Sequence, residues 1–509
     1  MAAVRVDGVV VDALVVESDD CPRGSAPLAA FGSSERWQQL QRLRRGQLAP
    51  KPLIAALCNG SLEPQSDLLA ALWGQLDRED VERLLGSGAA ANATPWLEAS
   101  RLELPALASQ PAVERAWLEP LLAIQQEAAP DQQLAWLEVL AQFLDPRVGQ
   151  RLRRLVLETS RQITSGEQEA EAAIGFEAVL PLVPLLGRQR QRQDGVLLLQ
   201  CSLEPGPLAW RRAALEGVAL GLSSWPLPLL TPALVRLASD LSPALANQAI
   251  DLLARLPDGQ RQLRRLVNGN LEASARERLR RRRLCTPLLL LVHGRQGGAI
   301  PAVYDDLARA LEQRRRAPVL IQALTGTTPA IDQRLQQRAS VAGAITLVPL
   351  LLLPGDHVRR DLPAIASSWR QGLAKETATA TVTLRRRPFL GAWPCWQQLL
   401  AQELPHQAQG RRWLWLHHPL QGTLAERYLA HLGRILGQPG CPTDAAEAAI
   451  SAAAGDARPL LLAPLSLAAN RFTESLRMER STPSEAVLPP LLDLPAVREF
   501  LLSQLEALP

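Results

Sequence analysis

Hydrophobic residues recur at intervals of three and four over residues 36–284, a spacing that predicts amphipathic helices. Prolines and glycines interrupt this spacing many times, so the helices are expected to be short and to stack as antiparallel pairs. Residues 1–35 lack the spacing and contain several Gly, Ser and Asp residues. We therefore predict an irregular segment over residues 1–35, followed by an all-helical domain over residues 36–284.

The pattern changes at Pro287. Residues 288–292 form a short, continuous apolar run, which is typical of a buried parallel strand. Similar runs follow at residues 318–324 and 344–353, and helix-forming stretches separate them. Because strands alternate with helices long enough to cross over, we predict a parallel α/β lobe over residues 286–404.

The last hundred residues repeat this plan. Residues 411–418 parallel residues 288–293, because both are apolar runs that end in histidine. Residues 459–465 likewise parallel the run that begins at residue 345, with a proline near the end of each. We infer that one α/β unit was duplicated, and we predict a second, diverged lobe over residues 410–509.

The helical region contains segments that resemble each other. Those beginning at Pro207 and Asp240 each have a proline near a helix start, followed by small residues and leucines. This resembles HEAT-type repeats, in which each helix pair buries its apolar faces against neighbouring pairs. A plain helical bundle is the alternative. The predicted fold class is α + α/β: an N-terminal all-helical, HEAT-like region, then two tandem parallel α/β lobes.

Composition narrows the class of protein. The chain has 509 residues, 47% of them hydrophobic, as in ordinary globular proteins. A net charge of +4 is mild for this length and predicts no nucleic-acid partner. The six cysteines show no C-x-x-C spacing, which argues against a zinc knuckle and against a disulfide framework. A reducing, cytoplasmic location is expected.

Two apolar patterns bear on whether the chain carries a signal peptide or a membrane span. The apolar stretch over residues 9–16 is interrupted by Asp12, and we predict no signal peptide there. No apolar run reaches about 18 residues, so no membrane span is expected.

Residues 276–283 are a dense basic run, which we interpret as a solvated helix end and linker. The alternative is an anchor for an acidic ligand or partner.

Candidate chemistry lies in the predicted lobes. All six histidines follow residue 290. His293 and His357 both come after apolar strands, and ligands of open α/β sheets bind beyond the carboxyl ends of the strands. Gly294 would allow the backbone to approach a flat ligand closely. Asp356 is a candidate either to cap the following helix or to hold the His357 ring in one tautomer.

Two motifs resemble those of a known family. The first is V-H-G-R at residues 292–295, and the second is V-P-L-L-L-L-P-G-D-H-V-R-R-D-L-P at residues 348–363. They resemble the CbiX/SirB family of class II chelatases, whose members carry a strand ending in G-H-G-S-R and a later V-P-L-F-L-x-x-G-x-H-V-x-x-D-I-P. The resemblance covers residues 287 to about 404, with residues 411–509 as the diverged copy.

The resemblance implies an enzyme that inserts a divalent metal ion into sirohydrochlorin or a related tetrapyrrole without ATP. Fe²⁺, Co²⁺ or Ni²⁺ would be a substrate, and no tightly bound cofactor is expected. It also implies that His293 and His357 are the catalytic residues and the metal ligands. The chemistry agrees, because insertion removes two pyrrole protons and a neutral imidazole can accept a proton or bind such an ion.

The substrate implied by the resemblance carries many carboxylates, with which guanidinium groups pair well. The expected substrate-binding residues are Gly294, Arg295, Gly355, Arg359, Arg360, His417 and His418.

The chain departs from the family's pattern in two places. Thr325 stands where members usually carry a glutamate after the second strand. In the second copy, residues 470–472 fall opposite His357, whereas His417 or His418 matches His293. We therefore expect one active lobe, with the other lobe completing the cleft.

An alternative function stays open. The α/β part could bind a tetrapyrrole without inserting metal, while the helical region recruits a protein partner. HEAT-like proteins also occur as subunits of bilin lyases, so a pigment-related role of the helical region is a third possibility.

Overall fold

A computed structural model describes residues 28–30, 32–107, 110–165, 175–376, 382–453, 458–479 and 485–509. The chain divides into two compact units, residues 1–226 and residues 227–509. Helices precede parallel sheets, so the predicted α + α/β class is confirmed. The predictions for residues 1–27, including the absence of a signal peptide, lie outside the described residues. Within these ranges, no helix combines the length and apolarity needed to cross a membrane.

In the described residues of the first unit, all regular structure is helical. Its helices are α1 (Ser34–Arg44), α2 (Lys51–Cys58), α3 (Ser66–Leu72), α4 (Arg78–Gly86), α5 (Thr94–Leu107), α6 (Pro111–Glu127), α7 (Pro130–Leu140), α8 (Pro146–Ser165), α9 (Phe176–Val179), α10 (Val183–Arg188), α11 (Arg192–Leu203) and α12 (Leu208–Gly221). Proline is the first residue of α6, α7 and α8, where a helix needs no N–H group.

The early helices stack in a regular order. Each of α1 to α5 packs against the helix two places further along the chain. This is how successive helix pairs stack in a solenoid. The more specific HEAT-like assignment stays a prediction.

Tryptophans fill the core of these stacked helices. Trp73, Trp96, Trp117 and Trp136 are all buried. The ring centroids of Trp73 and Trp117 lie 3.8 Å apart, and the Trp117 indole N–H donates a 2.8 Å hydrogen bond to the Trp73 carbonyl oxygen. A few large side chains therefore provide much of the packing in a chain with only 4% aromatic residues.

The second unit begins with four helices and continues with two parallel sheets. The helices are α13 (Leu227–Leu237), α14 (Pro243–Arg255), α15 (Gly259–Leu266) and α16 (Ala273–Arg282). They belong to the same compact unit as the sheets, although the hydrophobic pattern changes only at Pro287.

The first sheet has the strand order β2-β1-β3-β4, and all its pairings are parallel. Its elements are β1 (Leu288–Val292), α17 (Ala302–Arg315), β2 (Val319–Ala323), α18 (Gln333–Ala342), β3 (Ala344–Pro349), α19 (Leu362–Glu376), β4 (Thr383–Arg386) and α20 (Pro394–Ala408).

The second sheet has the corresponding order β6-β5-β7-β8, again parallel throughout. Its elements are β5 (Arg412–His417), α21 (Thr423–Leu436), β6 (Cys441–Pro442), α22 (Ala446–Ala453), β7 (Leu460–Pro464), α23 (Arg471–Glu479), β8 (Glu485–Val487) and α24 (Pro495–Glu506). Two sheets with one strand order are what a duplicated unit predicts.

One hydrophobic core joins the two sheets. Leu288, Leu290 and Val292 of β1 and Trp415 of β5 belong to the same buried cluster, together with residues of α17, α20, α21 and α24. The last helix of each repeat packs against the first helix of the other repeat, α20 on α21 and α24 on α17. The outer face of each sheet has its own core, under α18 and α19 for the first sheet and under α22 and α23 for the second.

A buried arginine holds α24 in place. Arg315 is fully buried at the end of α17. Its Nη1 donates to the carbonyl oxygens of Leu505 at 2.6 Å and Leu508 at 2.9 Å, and its Nη2 donates to that of Thr286 at 2.7 Å. Burial lowers the pKa of Arg315 to about 10, so the group stays charged at neutral pH.

Two residues of the basic run over residues 276–283, Arg280 and Arg283, are part of this anchor, which corrects the interpretation as a solvated helix end at these positions, while Arg281 and Arg282 are exposed. Arg283 is buried and donates to the carbonyl oxygens of Glu506 and Leu508. The carboxylate of Glu506 accepts a 2.9 Å hydrogen bond from Arg280. These arginines satisfy carbonyl groups at the end of α24 that no helix residue can reach.

We predict that Arg315→Ala destabilises the second unit by about 3 kcal/mol, because several buried carbonyl groups would lose their donors. The urea midpoint of unfolding should fall, and amide hydrogen exchange in α24 should accelerate. The matched control is Arg309→Ala on the same helix, since Arg309 pairs with Asp306 at an exposed position. Equal effects of the two substitutions would contradict the anchoring role.

Candidate functional site

The two predicted histidines meet at the carboxyl edge of the first sheet. β1 and β3 are neighbours at its centre, and His293 directly follows β1. His357 follows the loop that leaves β3. The two imidazole rings have centroids 5.0 Å apart and stand nearly perpendicular, at 84°. Strand order thus brings together two side chains that are far apart in the sequence.

This spacing suits a shared metal ion. An imidazole nitrogen lies about 2 Å from a bound ion and about 1 Å from the centre of its own ring, so two imidazoles on one tetrahedral ion have centres about 5 Å apart. Within the described residues, no group of three or more His, Cys, Asp or Glu side chains is placed to hold a metal ion. The two imidazoles would therefore leave two positions of a tetrahedral ion open to another ligand.

Asp361 orients the His357 ring. Residues His357–Asp361 form a π-helical turn at the start of α19. The His357 Nδ1 lies 2.6 Å from the Asp361 Oδ2, so Nδ1 carries the proton and donates it. Nε2 of the neutral ring is then unprotonated and can bind a metal ion. The four-residue spacing of the two side chains was visible in the sequence, but its significance was missed.

Asp356 does neither of the two things expected of it. Its side chain makes no capping hydrogen bond to the helix that follows. Its carboxylate instead lies 3.5 Å from the Arg359 guanidinium, in an exposed ion pair. Asp361 rather than Asp356 holds the His357 ring, because a carboxylate one turn later on the helix faces the same side as the imidazole.

The surroundings of His293 favour the neutral form of its ring. Its Nδ1 lies 3.2 Å from the Gly294 carbonyl oxygen, which can only accept, so Nδ1 carries the proton and Nε2 does not. The ring keeps an exposed edge, but its surroundings remove water from much of it. This desolvation is the main cause that lowers the pKa of His293, and the nearby His357 and His418 lower it further.

Close packing explains the glycine at residue 294. A Cβ atom there would lie 2.7 Å from the Cβ of Ala323, the last residue of β2. The backbone after β1 therefore lies directly against the end of the neighbouring strand. The expected contact of Gly294 with a flat ligand stays a prediction.

Two of the predicted substrate-binding arginines contact residues of the second repeat. Arg295 forms a 2.8 Å ion pair with Glu474 of α23, and both side chains are about half exposed. Arg359 donates a 3.3 Å hydrogen bond to the Gln421 carbonyl oxygen. Arg360 is exposed. We call the region where residues 293–298, 350–357 and 418–422 approach one another the histidine cleft.

Loops of the two repeats contact each other at the edge of the histidine cleft. A Cβ atom on Gly355 would lie 3.4 Å from the Leu420 side chain. The Tyr428 hydroxyl of α21 lies 2.9 Å from the Leu352 carbonyl oxygen in the loop after β3. The predicted site residues of the first sheet therefore adjoin the loop after β5.

His417 and His418 have different surroundings. His417 is only 5% exposed, its ring centroid lies 5.4 Å from that of Trp415, and its Nδ1 donates to the His418 carbonyl oxygen at 2.9 Å. Burial lowers the pKa of His417. His418 is exposed. Of these two predicted contacts, His418 is the one whose side chain is open to a ligand.

We expect Asp361→Ala to weaken Co²⁺ binding by about 10- to 100-fold, because the His357 ring would lose the partner that fixes its tautomer and direction. Titration of the purified protein with Co²⁺, followed by visible absorbance, measures this affinity. Asp356→Ala is the matched control and should bind Co²⁺ like the wild type. Unchanged affinity in Asp361→Ala would contradict the orienting role.

The His293 ring should titrate below 6.5, the ordinary histidine value, because burial disfavours its charged form. As the pH falls, His293 should therefore remain neutral and able to bind metal at pH values where an exposed imidazole is already protonated. NMR of metal-free protein labelled at histidine measures this, with His293→Gln identifying the signal. Titration at or above the ordinary value would refute the desolvation argument.

Comparison with solved structures gives matches that extend over most of the chain. Two solved structures of LpoA from Haemophilus influenzae align with the chain. A monoclinic form with two molecules in the asymmetric unit is 13% identical, covering 88% of this chain and 78% of that one with a TM-score of 0.17. Full-length LpoA is 12% identical, covering 83% and 77% with a TM-score of 0.18. At these scores the alignments support no conclusion about the fold.

No curated protein matches the chain. The CbiX family model matches residues 287–406, which contain the first sheet, His293 and His357. This match supports placing the segment in the CbiX family, which points to tetrapyrrole-related metal chelatases.

Proposed function

We propose that the second unit inserts a divalent metal ion, Fe²⁺ or Co²⁺, into sirohydrochlorin or a related tetrapyrrole without using a nucleotide. The observation that carries this proposal is the pair of imidazoles, 5.0 Å apart at adjacent strand ends, with His357 oriented by Asp361. The match of residues 287–406 to the CbiX family supports the same class of reaction.

The two imidazoles would bind the incoming ion through their Nε2 atoms. Imidazole suits divalent iron, cobalt and nickel, so these residues do not by themselves select one metal. Because only two protein nitrogens bind the ion, the ring nitrogens of the tetrapyrrole can take the remaining positions and then displace the protein. Insertion forms the metal–nitrogen bonds and releases two protons from pyrrole N–H groups, with no change of oxidation state.

Arginines at the edge of the histidine cleft would bind the carboxylates of the macrocycle. Arg359 and Arg360 are exposed at the start of α19, next to His357. Arg295 is already paired with Glu474, so a substrate carboxylate would have to replace that partner. A guanidinium group can hold a carboxylate through two parallel hydrogen bonds, which also fixes its direction.

The test is an anaerobic mixture of the protein, sirohydrochlorin and Co²⁺, followed by absorbance. We expect His357→Ala to lower the insertion rate about a hundredfold or more, because it removes a group that binds the ion. His406→Ala, at an exposed position near the end of α20, is the matched control and should retain the wild-type rate. Circular dichroism checks that each variant is folded.

Two results would count against the proposal. A wild-type rate equal to that of a protein-free mixture would remove the insertion activity and favour a tetrapyrrole-binding protein whose helical region recruits a partner. A normal rate in His357→Ala would mean that the ion is held elsewhere. Competition between Fe²⁺, Co²⁺ and Ni²⁺ in the same assay identifies the preferred metal.

A further inference from the structure

The registers of the two sheets identify equivalent residues in the two repeats. In the first sheet, Leu291 of β1 pairs with Pro349 of β3. In the second sheet, Leu416 of β5 pairs with Pro464 of β7. Leu291 and Leu416 therefore occupy the same place on the central strand. Two residues further along, His293 corresponds to His418 rather than to His417.

Side-chain direction supports this correspondence. His417 lies on the same face of β5 as Trp415, whose ring packs into the core between the sheets. In the first sheet, Val292 occupies that inward position. Because side chains alternate along a strand, His417 matches the inward Val292, and His418 and His293 are each the next residue, directly after the strand. His418 is exposed, as a residue that meets a ligand must be.

The same reasoning places Asp444. Val292 of β1 pairs with Ala323 of β2, and His417 of β5 pairs with Pro442 of β6. Two residues beyond these partners stand Thr325 in the first repeat and Asp444 in the second. The position two residues beyond the edge strand therefore holds Thr325 in the first repeat, whereas the second repeat has an exposed carboxylate there.

The second repeat thus has an imidazole and a carboxylate at the strand ends where the first has His293 and Thr325. Desolvation is the main cause that lowers the pKa values of His293 and His417, but His418 also acts on His293 and Asp444 acts on His417 in the opposite direction, as expected of charges near these strand ends. The Arg359 hydrogen bond to Gln421 also brings the loop that carries His418 to the loop that carries His357. The second repeat therefore offers one imidazole and one carboxylate that can accept protons, although it lacks a counterpart of His357.

We propose that His418 and Asp444 form a proton-accepting half-site on the second sheet, which faces the pyrrole N–H groups of the ring while His293 and His357 deliver the metal ion. This inference rests on the proposed function and assigns the second repeat a chemical role in it. Asp444 is the new residue, and His418 becomes a proton acceptor rather than only a contact.

The proton balance of this step is complete. Two pyrrole N–H bonds break, and the electron pairs remain on the nitrogens and are donated to the metal ion. One proton passes to the imidazole of His418 and the other to the carboxylate of Asp444, and both are then released to water. Nothing is oxidised or reduced. Separate groups for protons and metal keep the arriving ion and the departing protons apart, which reduces their mutual repulsion.

The experiment compares two ligands of the intact protein, metal-free sirohydrochlorin and its cobalt complex. Only the metal-free ring has N–H groups to donate. We expect the double variant His418→Ala/Asp444→Asn to bind the metal-free ring about tenfold more weakly, and to bind the cobalt complex like the wild type. Fluorescence quenching measures both affinities. In the insertion assay, kcat should fall while the affinity of the protein for Co²⁺ stays unchanged.

Matched controls separate this role from a general disturbance. His406→Ala removes an exposed imidazole, and Glu447→Gln neutralises an exposed carboxylate on α22, close to Asp444 in sequence. Both controls should bind the two rings and insert metal at wild-type levels.

The outcomes distinguish this proposal from the proposed function. If the wild type inserts metal and the double variant keeps wild-type kcat and ring affinities, the half-site is overturned and the insertion activity stands. Equal weakening for both rings would mean a structural role and would also overturn it. If the wild type binds the rings without inserting metal, and the double variant loses only the metal-free ring, the half-site is supported and the insertion activity fails. A wild type that binds neither ring overturns both.

Discussion

The buried guanidinium of Arg315 is the interaction on which the arrangement of the two sheets depends. It lies at the end of α17 in the first repeat and binds carbonyl oxygens at the end of α24, the last helix of the second. Arg283 and Arg280 hold the same end. Because α17 and α24 both belong to the layer between the sheets, fixing one helix on the other holds the two repeats together.

The histidine cleft is a consequence of that arrangement. The two imidazoles proposed to bind the metal ion come from the first sheet, and residues of the second repeat contact the loops around them. Arg295 reaches Glu474, Arg359 reaches Gln421, and Tyr428 reaches the loop after β3. A duplicated fold here serves a single cleft with two unlike sides. The first side retains two imidazoles, and the second combines one exposed imidazole with an exposed carboxylate.

The proposed division of roles between the two repeats follows from the chemistry of metal insertion. A divalent ion must approach while two protons leave, and all three are positively charged. A neutral imidazole can serve either process, but one ring cannot do both at once. Desolvation lowers the pKa of His293, and the Asp361 carboxylate keeps the Nε2 of His357 available. The remaining groups near the cleft are then free to act on the ring.

The sequence by itself determined the alternation of strands and helices, the repeat, and the pair formed by His293 and His357, because apolar runs and strand-end positions are local properties. Which neighbours these side chains have was decided only by tertiary structure. Asp361 rather than Asp356 holds the His357 ring, because the turn formed by His357–Asp361 places the Asp361 carboxylate beside the imidazole. Strand register gives the place of His293 to His418, not His417, and helix packing makes two arginines of a seemingly solvated basic run part of a buried anchor. Register and packing depend on contacts between segments distant in sequence, which no local pattern contains.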